Sequence, residues 1–330
     1  MFFYTNMNVG KHSVEITMHI SVMNTHSKTP VPVRKLHRRP RDLIPQIQVL
    51  LEEHLTALPK QSASAIIIPF RASGDNAVVR NEQLAEFLNE VPKKVSPSDI
   101  YIVEQLADGR RFNRGALLNC GFVLATLHEM KGDKSFLTML DEYSGFIDAS
   151  EVLSMNEVST DEKSHSHYIF HDVDLIPSDS LAPYYRAVPP EPLHIGWCWD
   201  RYRRFKGYFG GVVSMTRDQI VSVNGYGNDS WGWGAEDDVL RTRIYLNQQG
   251  IARPAVNSGT FRDLECMTYE EKKKSIARAR EENPIQWEQI ASVRETWKSN
   301  GLCSLCFKVL SLRLLCSKRQ GNVYRIIVQL

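Results

Sequence analysis

The stretch from Ala63 to Phe70, "ASAIIIPF", constrains this chain more than any other. Ile66, Ile67 and Ile68 form a continuous apolar run halted by Pro69, the pattern of a strand buried on both faces of a parallel sheet. The next hundred or so residues repeat the unit. "NEQLAEFLNEVP" has helical period, "DIYIVEQ" is a β-branched strand ending on charge, and "RGALLNCGFVLATLHEM" is an amphipathic helix. "HYIFHDVDLIP" is a further strand that terminates in acids. Strand alternating with helix predicts an α/β fold of βαβ units around a sheet flanked by helices. Ligands of such sheets bind beyond the carboxyl ends of the strands. Those ends carry Pro69-Phe70-Arg71, Glu104-Gln105 and Asp172-Val173-Asp174.

Around this centre the chain divides into a poorly ordered basic leader over 1–40, one domain over 41–300, and a tail over 301–330. Arg41–Leu58 reads as a helix opening the domain. The tail reads as a basic amphipathic helix or an ill-defined extension. Within the domain, 41–185 carries the βαβ units. Residues 186–300 change character, with Gly, Trp, Tyr and Arg concentrated over 189–262. "YFGGVVSMT" predicts a strand there, and "EDDVLRTRIYLNQQG" a helix capped by Gly250.

Composition narrows the partners. Forty basic against 38 acidic residues give a net charge of +2, which offers nucleic acid no electrostatic footprint. The basic run from Arg34 to Arg41 reads as a solvated linker. No window of about 18 apolar residues predicts a transmembrane helix, and the N-terminal stretch is too polar for a signal-peptide core. Of the 6 cysteines, Cys303 and Cys306 form a lone CxxC, weak support for zinc without a second pair.

Three motifs carry chemistry. Asp172 and Asp174, two apart on an extended segment, point the same way and can share a hard divalent cation; an Asp-rich turn is the structural alternative. In "RFNRGALLNCGF", Phe112 can pack on a base while Arg114 bonds base or phosphate, just ahead of a helix N-terminus. Phe112 as a staple and Arg114 as a surface residue serve equally. In "YFGGVVSM", Gly210-Gly211 admits either a ligand or a simple bulge. Last comes "SWGWGAEDDVL", where Glu236, Asp237 and Asp238 stand in a row behind Trp231 and Trp233. Acids suit a helix N-terminus, but neighbouring indoles make them costly to ionise.

The blocks "IIIPFR", "RFNRGALLNCGF", "YIFHDVDLIP" and "YFGGVVSMTRDQIVSVNGYGNDSWGWGAEDD" together resemble the β-1,4-galactosyltransferase family, in its order and spacing. The resemblance covers roughly 62–300, including "NPIQWEQIASVRETWKSNGL". "TFRDLE" looks nearer to the xylosylprotein branch. The resemblance implies a GT-A nucleotide-diphospho-sugar transferase fold with a Rossmann-like mixed sheet. It further implies inverting, metal-dependent transfer of galactose from UDP-galactose to the 4-hydroxyl of xylose or GlcNAc on a glycoconjugate. Mn²⁺ is the implied cofactor, with Mg²⁺ as substitute, and the Golgi lumen the implied location. Alternatives are the same machinery using UDP-GalNAc or UDP-GlcNAc, and a catalytically silent sugar- or nucleotide-binding homologue.

Carried over by position, Pro69, Phe70, Arg71, Phe112, Arg114, Asp172 and Val173 would hold UDP. Asp174 would bind the metal, and Tyr208 and Gly211 would line the sugar pocket. Trp233 would ride a closing loop. Glu236 and Asp238 would grip the sugars, with Asp237 as catalytic base. Two departures stand out. Ala72 and Ser73 occupy the place of a second family arginine, and "TFRDLECM" has Asp263 and Glu265 where a His-x-His pair would complete the metal site. These carboxylates are the expected replacements; His165, His167 or His171 is the alternative.

Overall fold

The computed structural model describes residues 2–10, 13–21 and 63–330, except 143–144, 156–164, 206 and 319–320. The chain divides at Ala57/Leu58 into two units. In the first, β1 (Phe2–Gly10) pairs antiparallel with β2 (Ser13–Ser21). The helix expected over 41–58 lies outside the described residues.

The second unit begins as the apolar runs predict. β3 (Ser64–Phe70) is buried along its whole length. It is followed by α1 (Ala77–Val95), β4 (Ser98–Gln105) and α2 (Arg114–Glu142). Next come β5 (Ile147–Asp148), α3 (Ala149–Ser154), β6 (His167–His171), β7 (Leu175–Pro177), α4 (Ala182–Arg186) and β8 (Leu193–His194). α5 (Asp200–Arg204), β9 (Val212–Met215), α6 (Arg217–Ser222), α7 (Glu236–Leu246) and β10 (Phe261–Asp263) come after them. α8 (Tyr269–Glu282), α9 (Pro284–Thr296), β11 (Cys306–Lys318) and β12 (Gly321–Gln329) complete the chain.

Eight strands make one mixed sheet in the order β5-β11-β12-β4-β3-β6-β9-β8. β12, β4, β3 and β6 run parallel, and β9 turns antiparallel against β6. Ala65, Ile67, Tyr101 and Val103 join Leu117, Phe122, Val123 and Leu124 of α2 in one fully buried core. Removing this apolar surface from water fixes the strand ends to within the play of a close-packed interior.

Two expectations are corrected. The segment after 300 is neither helix nor loose tail. β11 and β12 form an antiparallel hairpin, and β12 sits between β11 and β4 in the middle of the sheet. Val323, Tyr324, Ile326 and Val328 are buried there. In β11, buried Phe307 and Val309 alternate with Lys308 and exposed Leu310, a period of two that the scattered basic residues disguise. Nor does α7 reach Gly250. It stops at Leu246, where Gln248 takes φ 57° and the amides of Gln248 and Gln249 bond the carbonyls of Tyr245 and Ile244. That is a Schellman closure made without glycine.

Candidate active site

The carboxyl ends of β3, β4 and β6 open on a cavity of about 580 Å³. At β3, Pro69, Phe70 and Arg71 line it. At β4, the Gln105 side chain accepts from the Asn113 amide (2.8 Å) and donates to the Arg111 carbonyl (2.9 Å). Asn113 then caps α2, its Oδ1 accepting from the Ala116 amide at 3.0 Å. The loop so fixed presents Phe112 and Arg114 to the cavity, with the Arg71 guanidinium 5.4 Å from the Phe112 ring centre. At β6, Asp172, Val173 and Asp174 come directly after His171.

Arg114 is the hub. Its Nε lies 2.8 Å from Asp172 Oδ1, its Nη1 2.8 Å from Asp237 Oδ1, and the same nitrogen 3.3 Å from Glu236 Oε1. One guanidinium thus joins the end of β6 to the first turn of α7, where Glu236, Asp237 and Asp238 also benefit from the helix dipole. Burial and the negative charge of Glu236 and Asp172 outweigh Arg114 and push the Asp237 carboxyl well above the usual range. Burial raises Glu236 as well, against the pull of Arg114. Glu236 Oε2 is buried with no hydrogen-bond partner among the described residues. Asp238 is raised by burial despite Arg241, which it meets at 2.9 Å.

Glycine makes this arrangement possible at two places. A Cβ on Gly210 would overlap Asp237 Oδ2 and crowd the Tyr208 hydroxyl, so the backbone there doubles as the floor under the carboxylate. Gly211 has φ 76°, and its carbonyl accepts from the Asp172 amide at 2.9 Å. Gly211 therefore acts behind the wall of the cavity, not on it as the sequence suggests.

A second strand pairing brings in the far carboxylates that the family pattern sets beside Asp174. β10 runs antiparallel to β7, with Asp263 opposite Leu175, and the Leu264 amide donates to the Asp174 carbonyl at 2.8 Å. Asp174, Asp263 and Glu265 consequently line one cavity. Burial, then Asp172 and Glu265, raise Asp174 to about 7. In donor chemistry this all-oxygen set fits a hard divalent cation. Among the described residues, however, no three such groups converge as a ready-made cage. Each has a resident cation: Arg80 at 3.2 Å from Asp174, Arg201 bonded to Asp263, and Lys272 at 2.7 Å from Glu265.

The histidine alternative is overturned. His171 Nε2 faces the Tyr185 hydroxyl at 2.7 Å, and His167 Nε2 meets the Tyr185 carbonyl at 2.8 Å. His165 lies between Asp99 and Glu129, near the amino end of β4, and none of the three lines the cavity. The CxxC cysteines also stand elsewhere. Cys303 Sγ accepts from Asn224 Nδ2, while Cys306 opens β11.

Residues 194–266 match the family model described as the N-terminal domain of galactosyltransferase. Over 249 residues, 75% of this chain, the sequence is 30% identical to β-1,4-galactosyltransferase 4 of Homo sapiens. Over three quarters of its length the chain is similar in sequence to the β-1,4-galactosyltransferases. β-1,4-galactosyltransferase 3 of Bos taurus is 29% identical over 257 residues, 77% of this chain. The matched regions are 59% and 53% of those two relatives, so this chain spans little more than half their length. A crystal structure of the catalytic domain of Drosophila β-1,4-galactosyltransferase 7 with xylobiose superposes with TM-score 0.53 at 22% identity. It covers 82% of this chain and 94% of that one. A mutant of the same enzyme in complex with manganese, UDP-Gal and xylobiose gives 0.51 at 21%. The likeness is one of fold, the GT-A arrangement.

Most positions expected from the family pattern meet in one place. Pro69, Phe70, Arg71, Phe112, Arg114, Asp172, Val173, Asp174, Tyr208, Trp233, Glu236, Asp237, Asp238, Asp263 and Glu265 all line the cavity. Arg114, expected on uridine or phosphate, is instead fully engaged by carboxylates. Trp233 is 47% exposed at the rim, on a loop whose Gly232 amide donates to the Phe112 carbonyl at 2.7 Å. Sequence reasoning missed Arg80, Trp199, Arg201, Tyr202 and Lys272, which come from segments with no motif. Arg80 supplies near Asp174 a guanidinium that Ala72 and Ser73 cannot.

Proposed function

We propose that this chain transfers galactose from UDP-galactose to a sugar hydroxyl with inversion, Asp237 acting as the base. The observation carrying this reading is the Arg114 hub, which sets Asp237 and the unpartnered Glu236 Oε2 on the wall of a cavity that also holds Asp172 and Asp174. Inversion needs a base to take the acceptor proton, and burial raises the proton affinity of the Asp237 carboxylate. Glu236 Oε2 is an acceptor waiting for a hydroxyl donor, which a sugar provides. Tyr208 and Trp233 offer aromatic faces to the apolar sides of sugar rings.

Pro69, Phe70, Arg71, Phe112 and Val173 would form the uridine and phosphate side. Asp174, Asp263 and Glu265 would hold a divalent ion, Mn²⁺ by preference and Mg²⁺ as substitute. Bound there, the ion would stabilise charge on the departing diphosphate. Trp233 on its glycine-flanked loop would exclude water from the donor. Xylose or GlcNAc on a glycoconjugate is the proposed acceptor, and the Golgi lumen the proposed location on family grounds. Among the described residues no helix is long and apolar enough to cross a membrane.

A second reading, a silent binding homologue, draws on the resident cations that already pair Asp174, Asp263 and Glu265. One experiment separates the two. UDP release from UDP-galactose is followed with Mn²⁺, with and without β-xylosides or GlcNAc, for the natural chain and Asp237→Asn. Acceptor-stimulated release that falls by about 10²–10⁴-fold in the variant, with UDP binding retained, supports the transferase. UDP binding without turnover in the natural chain refutes it in favour of the silent homologue.

A further inference from the structure

The cations beside the expected metal ligands are too well placed to be bystanders. Arg201 is buried on α5, bonded to Asp263 and 3.5 Å from Glu265, and it also donates to the Met267 carbonyl at 2.9 Å. Lys272, one turn into α8, reaches both Glu265 oxygens at 3.0 and 2.7 Å. Arg80 comes from α1 to Asp174. Three elements thus deliver three positive charges to three carboxylates of the same cavity. A divalent ion set among those carboxylates would stand beside all three cations, and like charges at such range repel strongly where water is scarce. A diphosphate entering without the ion would meet the carboxylates instead. Both conflicts vanish together if the cations turn to the diphosphate as the ion takes the carboxylates.

We propose that Lys272, with Arg201 and Arg80, is a counter-cation that changes partner: it holds the carboxylates when the cavity is empty and the diphosphate when metal and nucleotide are bound. The proposal rests on the UDP-sugar reading of the cavity. Lys272 suits the exchange because its flexible ammonium is a point charge not committed to one geometry. It also stands 5.4 Å from the centre of the Trp233 ring, so its change of partner is felt by the loop at the rim. Metal and nucleotide affinities are coupled through it, by the same factor in each direction.

The test measures Mn²⁺ binding by electron paramagnetic resonance without nucleotide, and UDP binding by calorimetry with Mn²⁺. The full chain is compared with Lys272→Met, Lys272→Arg and, as an independent position, Arg80→Met. The expected signs are opposite for the two ligands. Lys272→Met binds Mn²⁺ about 10-fold tighter in the absence of UDP, and binds UDP about 10-fold more weakly in the presence of Mn²⁺, within the usual range of coupling between sites. Arg80→Met shifts both in the same senses, and Lys272→Arg restores both. A residue that merely supported the fold would weaken both ligands, and one that only touched nucleotide would leave Mn²⁺ unmoved. Mn²⁺ affinity unchanged or weakened in Lys272→Met, with UDP still bound by the natural chain, overturns the exchange alone. No UDP binding by the natural chain, with or without Mn²⁺, overturns the nucleotide reading and the exchange with it.

Discussion

Replacing Arg114 by Met keeps the length of the side chain and removes the charge that three carboxylates share. Its guanidinium is only 12% exposed, and Asp172, Glu236 and Asp237 have side-chain exposures of 24%, 9% and 14%. The charged form of Arg114 suffers from burial, yet Asp172, Asp237 and Glu236 more than repay it and hold the group well above its ordinary range. Breaking a buried ion pair from one side costs about 3–5 kcal/mol because the remaining charge is stranded. At roughly 2–4 °C per kcal/mol for a unit of this size, the melting temperature falls by about 10 °C. The pH dependence is diagnostic. Without Arg114 the carboxyls of Glu236 and Asp237, already raised, rise further, so the folded state holds protons that the unfolded state has released. Stability of the variant then falls as pH increases from about 5 to 8. Urea unfolding of both proteins across that range measures it. The deficit should be largest at pH 8 and shrink towards pH 5. A deficit under about 1 kcal/mol at pH 8, or one that does not change with pH, refutes the hub.

Gly210→Ala places a methyl group where Asp237 Oδ2 lies, so transfer should fall by at least about 10²-fold through displacement of the base; turnover with retained UDP affinity measures it. Trp233→Ala should leave unfolding free energy within about 0.5 kcal/mol, the residue being 47% exposed, while the ratio of donor hydrolysis to transfer rises in a coupled UDP-release assay. At the other end of the sheet, burial opposes a charge on His165, but hydrogen bonds to Asp99 and Glu129 raise it to about 9. That stability is fully present below about pH 6.5 and is lost as pH climbs through about 9, on the order of 3 kcal/mol in all. His165→Gln should flatten this part of the stability–pH curve measured by urea unfolding, and an unchanged slope would show that the imidazole is not charged in the fold.

The local pattern of the sequence was enough for the parallel centre of the sheet. Ile66–Ile68, "DIYIVEQ" and "HYIFH" each bury both faces, and a strand with two apolar faces has few other places to go. The same logic put Arg71, Phe112, Asp172 and Asp174 at one edge, because strand direction fixes which end carries the loops. Glu236–Asp238 was legible from a dense cluster of charge and indole that no ordinary surface requires. β11 and β12 were not legible, since short amphipathic runs with basic residues satisfy helix and strand alike until a neighbour such as β4 decides between them. The family pattern already set Asp263 and Glu265 beside Asp174, but tertiary structure alone decided which cations meet them. The pairing of β10 with β7 brings Asp263 and Glu265 to Asp174 from far along the sequence, and α1, α5 and α8 then bring Arg80, Arg201 and Lys272 to meet them. A side chain's chemistry is written in the sequence, but which opposite charge neutralises it depends on distances that exist only after the chain has folded.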